Sequence, residues 1–281
     1  MSDKQIVVLY HRKCSDGFGA AYAAWKKFGD MAEYIPVSYG DSIAEKLEGR
    51  EVFMLDFCYE LPGEIERLVA TTKRLVIIDH HGSAKQLVES VPEHVFDTQH
   101  SGAMLAWTYF HPEAAPPLLL EYIEDHDLYR HRLPQSEEMT TYISIQPRTF
   151  EAWDKLVQKF DQPASRVNIL KTASFYSEYF NALVEMSANE AKKVRFEGHE
   201  CYFATTHAAM RSQVADALYS KLPPIALVVS AHPDGFGVSI RGDGSVDVSK
   251  IAEKYGGGGH PNSSGFFIRN GTDMPWIEVE D

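Results

Sequence analysis

Cysteine is scarce in this chain: three occur in 281 residues, Cys14, Cys58 and Cys201, widely spaced and odd in number. That excludes a disulfide framework and suits a reducing compartment. There is no CxxC pair, so a closed structural zinc site has nothing to build on. No apolar run approaches the length of a membrane span, and Met1-Ser-Asp-Lys-Gln leads directly into an apolar strand too short for a signal-peptide core. The expectation is a cytoplasmic protein with no membrane partner. Positive charge is also thin: 27 Lys and Arg stand against 40 Asp and Glu, a net charge of -13, with no long basic tract. Proteins that track long nucleic acid draw most of their affinity from phosphate neutralisation, so long DNA or RNA is not expected as a ligand. Acids gathered around divalent cations would explain part of the negative balance. Internal repeats and low-complexity segments are missing as well.

What the chain does contain is a core and an alternation. With 44% hydrophobic residues, 281 positions suffice for two domains of ordinary size. Ile6 to Tyr10 reads as a strand ending at His11, followed by the polar turn Arg12-Lys-Cys-Ser-Asp-Gly17 and an Ala-rich helix, Phe18 to Phe28, closed by Gly29. A weaker strand (Glu33 to Val37), a short helix (Asp41 to Glu48) and the strand Val52-Phe-Met-Leu-Asp56 follow. Pro62 opens a helix running to about Thr72. Arg74-Leu-Val-Ile-Ile-Asp-His-His-Gly82 is an uninterrupted apolar strand running into an acid and two histidines. This order predicts right-handed βαβ units and a parallel sheet. A short strand at Val95 to Asp97, a helix to about Phe110 and an apolar helix from Leu118 into Asp125-His-Asp127 complete the first domain. His131 to Thr149, with Pro134 and Pro147, reads as a loose segment, and Phe150 to about Lys193 as an amphipathic helical connector. A smaller α/β alternation starts near Glu200. The predicted division is a catalytic domain over 1–140, a connector over 141–197 and a second α/β domain over 198–281.

The informative feature is where the polar residues fall. Three strands end in His11, Asp56 and Asp79-His80, and a parallel sheet puts those ends on one edge, where open α/β sheets bind ligands. His11, Asp16, Asp56, His80 and Asp125 make an oxygen-rich set with two imidazoles, which suits manganese or a similar ion. So many ligands suit two ions sharing a carboxylate, about 3.5 to 4 Å apart in such sites, and able to activate a water and clamp phosphoryl oxygens. Asp56, from the middle of the sheet, is the bridging candidate. Downstream, Gly256 to Gly259 followed by His260 can gather several N–H groups on one anionic oxygen, and no Lys-Ser or Lys-Thr follows to make it a P-loop. Trp25, Trp107 and Trp153 sit at helical positions and are expected in the core.

Asp79-His80-His81, the upstream His-x-x-Cys-x-Asp-Gly, Asp56, the downstream Asp-x-Asp and the late Gly-Gly-Gly-Gly-His together resemble the DHH phosphoesterase superfamily with a C-terminal DHHA1 domain. The resemblance implies a parallel-sheet DHH domain and a smaller α/β DHHA1 domain with the active site in the cleft between them. It implies that His11 and Asp56 bind one metal, and that Asp16, Asp56, His80 and Asp125, or failing that Asp127, bind the other. Asp79 would orient its neighbours and His81 would face the substrate phosphate. The family usually has an aspartate where this chain has Cys14; the thiol is either a softer ligand or a small group beside the site. Gly257, Gly258, Gly259 and His260, with Arg241, would hold a terminal phosphate or a base. His100 and Ser101 match a position near substrate, although an N-cap at Ser101 explains them equally. The function so implied is hydrolysis of linear dinucleotides such as pGpG, or very short oligoribonucleotides, by a monomer or homodimer using two Mn2+ ions. The alternatives are a cyclic dinucleotide, 3′-phosphoadenosine 5′-phosphate, single-stranded DNA ends in the manner of RecJ, or a non-catalytic nucleotide sensor.

Overall fold

The computed structural model describes residues 4–12, 14–38, 47–59 and 63–279. Most of the Asp41 to Glu48 segment, and Pro62, lie outside them. The chain forms two compact units, Met1–Ser177 and Glu178–Asp281.

The first unit is built on five strands: β1 (Ile6–His11), β2 (Ala32–Val37), β3 (Glu51–Leu55), β4 (Arg74–Asp79) and β5 (Glu93–Phe96). All are parallel and lie in the order β2-β1-β3-β4-β5. Alternate side chains of a strand leave opposite faces, and here both faces are apolar. Val8, Phe53, Leu55, Val76 and Ile78 enter one core with helices α1 (Ser15–Phe28), α4 (Gly102–Phe110) and α5 (Leu118–Asp127). Val7, Leu9, Val52, Met54 and Ile77 enter the other with α2 (Glu64–Thr71) and α3 (Lys85–Glu89). Between β1 and β3 the winding direction reverses, and that is where a doubly wound sheet opens a crevice.

Two helices extend the first core beyond the expected catalytic segment. The stretch flanked by Pro134 and Pro147 is not loose throughout: α6 (Ser136–Ser144) turns Met139 and Ile143, one helical turn apart, into the interior. Both prolines stay outside the helix, so they mark its limits instead of breaking it. The segment read as connector begins with α7 (Phe150–Asp161), capped by Thr149, and Trp153 and Phe160 are completely buried there. Trp153 meets the Phe18 ring edge-on at 4.7 Å. The long α8 (Pro163–Asn189) belongs to the first unit at its start, through Ala173, and to the second at its end, through Val184 and Ala188.

The second unit holds seven strands in the order β10-β11-β9-β8-β7-β6-β12: β6 (Lys192–Phe196), β7 (His199–Thr205), β8 (Ile225–His232), β9 (Gly235–Gly242), β10 (Gly258–His260), β11 (Ser263–Arg269) and β12 (Ile277–Glu278). Only β7 and β8 pair in parallel; the rest is antiparallel. α9 (Arg211–Lys221) packs on one face and α10 (Val248–Lys254) on the other.

Candidate metal centre

The carboxyl ends of β1, β3 and β4 bring His11, Asp56, Asp79, His80 and His81 to the switch point, and α1 adds Asp16. Asp56 stands at the middle. Its carboxylate lies 3.6 Å from His11 Nδ1 and 3.2 Å from His80 Nε2. His80 Nε2 is also 3.6 Å from Asp16 and 3.6 Å from Asp127. Three donor groups overlap here: Asp56 with Asp79, His80 and His81; His11 with Cys14 and Asp56; Asp16 with His80 and Asp127. Within each the ligand atoms lie within 4.8 Å of one another.

Close backbone approaches set these positions. α1 starts directly on the end of β1: a Cβ at Gly17 would lie 2.4 Å from the His11 carbonyl oxygen, which is why glycine follows Asp16. A Cβ at Gly102 would lie 2.5 Å from that of Asp56, so the first turn of α4 closes on the central carboxylate only because residue 102 has no side chain. The same turn holds Asp16, whose oxygens accept from the Gly102 N–H at 2.7 Å and the Ala103 N–H at 2.9 Å, the electropositive end of the helix meeting a buried carboxylate. Asp56 itself has a left-handed backbone, φ 54°, strain of the kind that clusters at functional sites.

The electrostatics point to a missing positive charge. Asp16, Asp56 and Asp79 are buried, and among the described residues neither Asp56 oxygen nor Asp79 Oδ2 receives a well-formed hydrogen bond. Such groups are costly unless something pairs with them. Burial, then the charges of Asp56 and Asp127, push the Asp16 pKa well up, and burial raises Asp127. Burial would raise Asp56 too, but contacts from His11 and His80 outweigh it and hold the group down at about 2. Burial disfavours a charged His80, yet Asp56 and the surrounding carboxylates raise its pKa. The donor chemistry and the orphaned oxygens fit divalent metal binding by these residues.

Asp79 Oδ1 accepts from the His80 N–H at 2.7 Å and the His81 N–H at 3.2 Å, and lies 2.7 Å from His81 Nδ1. That hydrogen bond raises the His81 pKa and aims the ring's other nitrogen outward. The aspartate that joins the cluster from α5 is Asp127, not Asp125. Asp125 turns to the following loop, accepting from the Arg132 N–H at 2.9 Å and the Leu133 N–H at 3.1 Å. Burial works against its charge, but these amides keep its pKa below the ordinary value. Ser101 is a buried N-cap of α4, accepting from the Met104 N–H. Half-exposed His100 is held through Nδ1 by Glu124 at 3.0 Å, a buried carboxylate that also takes the Ser101 N–H and Arg130 Nη1. The sequence reading missed Glu124 and Arg130 as site-building residues and gave no role to Gly102, which follows directly on His100 and Ser101.

In the second unit, a groove of about 510 Å³ is lined by Arg241, Arg211, Ser239 and Gly256 to Gly258. Arg241 donates to Ser212 Oγ at 3.1 Å and to the Ile240 carbonyl. His260 is exposed on edge strand β10 and is not part of the lining. Two of the glycines are needed for packing: a Cβ at Gly257 would meet the Gly265 carbonyl at 2.1 Å, and one at Gly259 the Ser263 carbonyl at 2.6 Å.

The chain thus joins an α/β unit with acids and imidazoles at its switch point to a C-terminal unit whose sheet carries the glycine-rich segment. Residues 199–278 match the DHHA1 domain family. An uncharacterized protein, R106, of Acanthamoeba polyphaga mimivirus is 26% identical over 306 residues, covering 99% of this chain and 71% of the relative. Among solved structures, a pGpG-specific phosphodiesterase, PggH, from Vibrio cholerae aligns with TM-score 0.54 at 14% identity, over 95% of this chain and 94% of its own. RecJ in complex with Mn2+ from Thermus thermophilus aligns with TM-score 0.53 at 12% identity, over 94% of this chain and 50% of its own. With these solved structures the likeness is one of fold. Among the described residues, no helix is long and apolar enough to cross a membrane.

Proposed function

We propose that this protein is a divalent-metal-dependent phosphodiesterase that hydrolyses linear dinucleotides, such as pGpG, or very short oligoribonucleotides to nucleoside monophosphates. The carrying observation is Asp56: a buried carboxylate, short of hydrogen bonds, standing between His11 on one side and His80 on the other. When bound, a pair of divalent cations of the manganese class supplies an activated water and holds the charge of a phosphoryl group. Asp56 would contribute to both positions, with His11 holding one and with Asp16, His80 and Asp127 holding the other. His81, steered by Asp79, presents a ring N–H to a phosphoryl oxygen or the leaving group.

The substrate class draws on charge. A net charge of -13 disfavours a long polyanion, while the Arg211 and Arg241 groove of the second unit suits a phosphate-bearing ligand of small size. The similarity to a pGpG-specific enzyme agrees with this choice. Incubation with Mn2+ and pGpG is expected to release GMP, and Asp56→Ala to abolish turnover, at least a thousandfold. Tight pGpG binding without product in the unmutated protein would replace the enzyme by a nucleotide sensor.

A further inference from the structure

The two sides of the cluster do not offer the same donors. On one side stand Asp16, Asp127 and His80, two carboxylates and one imidazole. On the other stand His11, Asp56 and Cys14, one imidazole, one carboxylate and a thiol, with their ligand atoms within 4.8 Å of one another. We propose that the first position is a thiolate site. Cys14 Sγ binds its cation together with His11 and Asp56, and selects an ion of the zinc, cobalt or iron class, while a manganese-class ion occupies the second position. The centre is then a mixed-metal one. This inference rests on reading the cluster as a two-cation site.

Three observations carry it. Asp56 is 1% exposed and neither of its oxygens has a well-formed hydrogen bond among the described residues, so a desolvated acceptor faces the thiol and needs a partner. Cys14 holds the N-cap position of α1 with extended backbone, φ -102° and ψ 141°, yet its side chain makes no capping hydrogen bond. N-caps are ordinarily Ser, Thr, Asp or Asn because their oxygens accept from the helix amides. The thiol stands instead within ligand distance of His11 and Asp56. Finally, Cys14 borders a pocket of about 250 Å³ that is also lined by Asp16 and Asp127, so the thiol does not face a closed core.

The selectivity follows from ligand character. Thiolate prefers borderline-soft ions, whereas carboxylate-rich sets accept manganese and magnesium readily. Coordination requires the Sγ–H bond to give up its proton to solvent as the sulfur–metal bond forms; neither partner changes oxidation state.

The decisive probe is Co2+ added to the metal-free full chain. A thiolate-to-cobalt charge-transfer band in the near ultraviolet is expected with the first equivalent, lost in Cys14→Ser. Excess Mn2+ should leave the band in place while displacing cobalt from the second position. Cys58 and Cys201 are completely buried and Cys14 is not, so iodoacetamide labelling followed by mass spectrometry reports on Cys14 alone. Stoichiometric Zn2+ is expected to slow that labelling at least tenfold. Bound cobalt without the band, a band that survives Cys14→Ser, or labelling unaffected by Zn2+ would each overturn the proposal. None of these readouts needs turnover. A band with no hydrolysis of any nucleotide would sink the function and spare the thiolate site; hydrolysis without the band would do the reverse.

Discussion

Asp125 and Asp127 stand two positions apart on α5, and a helix sends residues i and i+2 to nearly opposite sides. One therefore reaches the loop at Arg132 and Leu133, and the other reaches His80. Their replacements should differ in kind. Asp125→Ala leaves two backbone donors without an acceptor and is expected to cost about 1–3 kcal/mol of stability by denaturant titration, with cation affinity little changed. Asp127→Asn removes a carboxylate whose charge burial opposes, so the metal-free protein should keep its stability while Mn2+ affinity, read by calorimetry, falls at least tenfold. The choice between the two was not legible in the sequence because both follow the same apolar run. Only the direction of the chain after the helix, toward the Asp125 carboxylate, separates them.

Among the elements, the strands and their terminal acids were legible. Each of β1, β3 and β4 is an apolar run buried on both faces that stops at a polar residue, and a parallel sheet leaves those stops no other edge to occupy. Less legible were α6, hidden between two prolines, the short hairpin arms β6 and β10, and β12, a brief strand held by antiparallel β6 far back in the sequence. α7 shows why a pattern can be right and its role misread: its apolar face is real, but it packs into the first core. Trp153 is fully buried and its Nε1 has no hydrogen-bond partner among the described residues. Trp153→Ala should cost about 3–5 kcal/mol. Trp153→Phe, which keeps the ring and removes an unsatisfied donor, should cost less than about 1.5 kcal/mol in the same unfolding experiment.

Among the described residues, the clusters of groups that could hold a metal ion lie in one of the two units. The clustered acids and imidazoles belong to Met1–Ser177, whereas Glu178–Asp281 has a core of its own. A ligand that binds only the folded state stabilises it by about 2.7 kcal/mol at a hundred times its dissociation constant. Scanning calorimetry of the full chain should show Mn2+ raising the transition of the first unit and EDTA reversing it, with the second unit's transition unmoved. Equal shifts of both would mean that the two cores melt as one.

The bare Cα of Gly102, pressed against Asp56, has a last consequence. The central carboxylate is wedged into its pose by the main chain of α4 and by a backbone that few other residues tolerate. An ion bound there would find the Asp56 carboxylate already aimed, and ordering it would cost almost no rotational freedom. On the two-cation reading proposed above, selectivity would then rest with the neighbours on either flank, where imidazole, thiol and outer carboxylate differ, and not with Asp56.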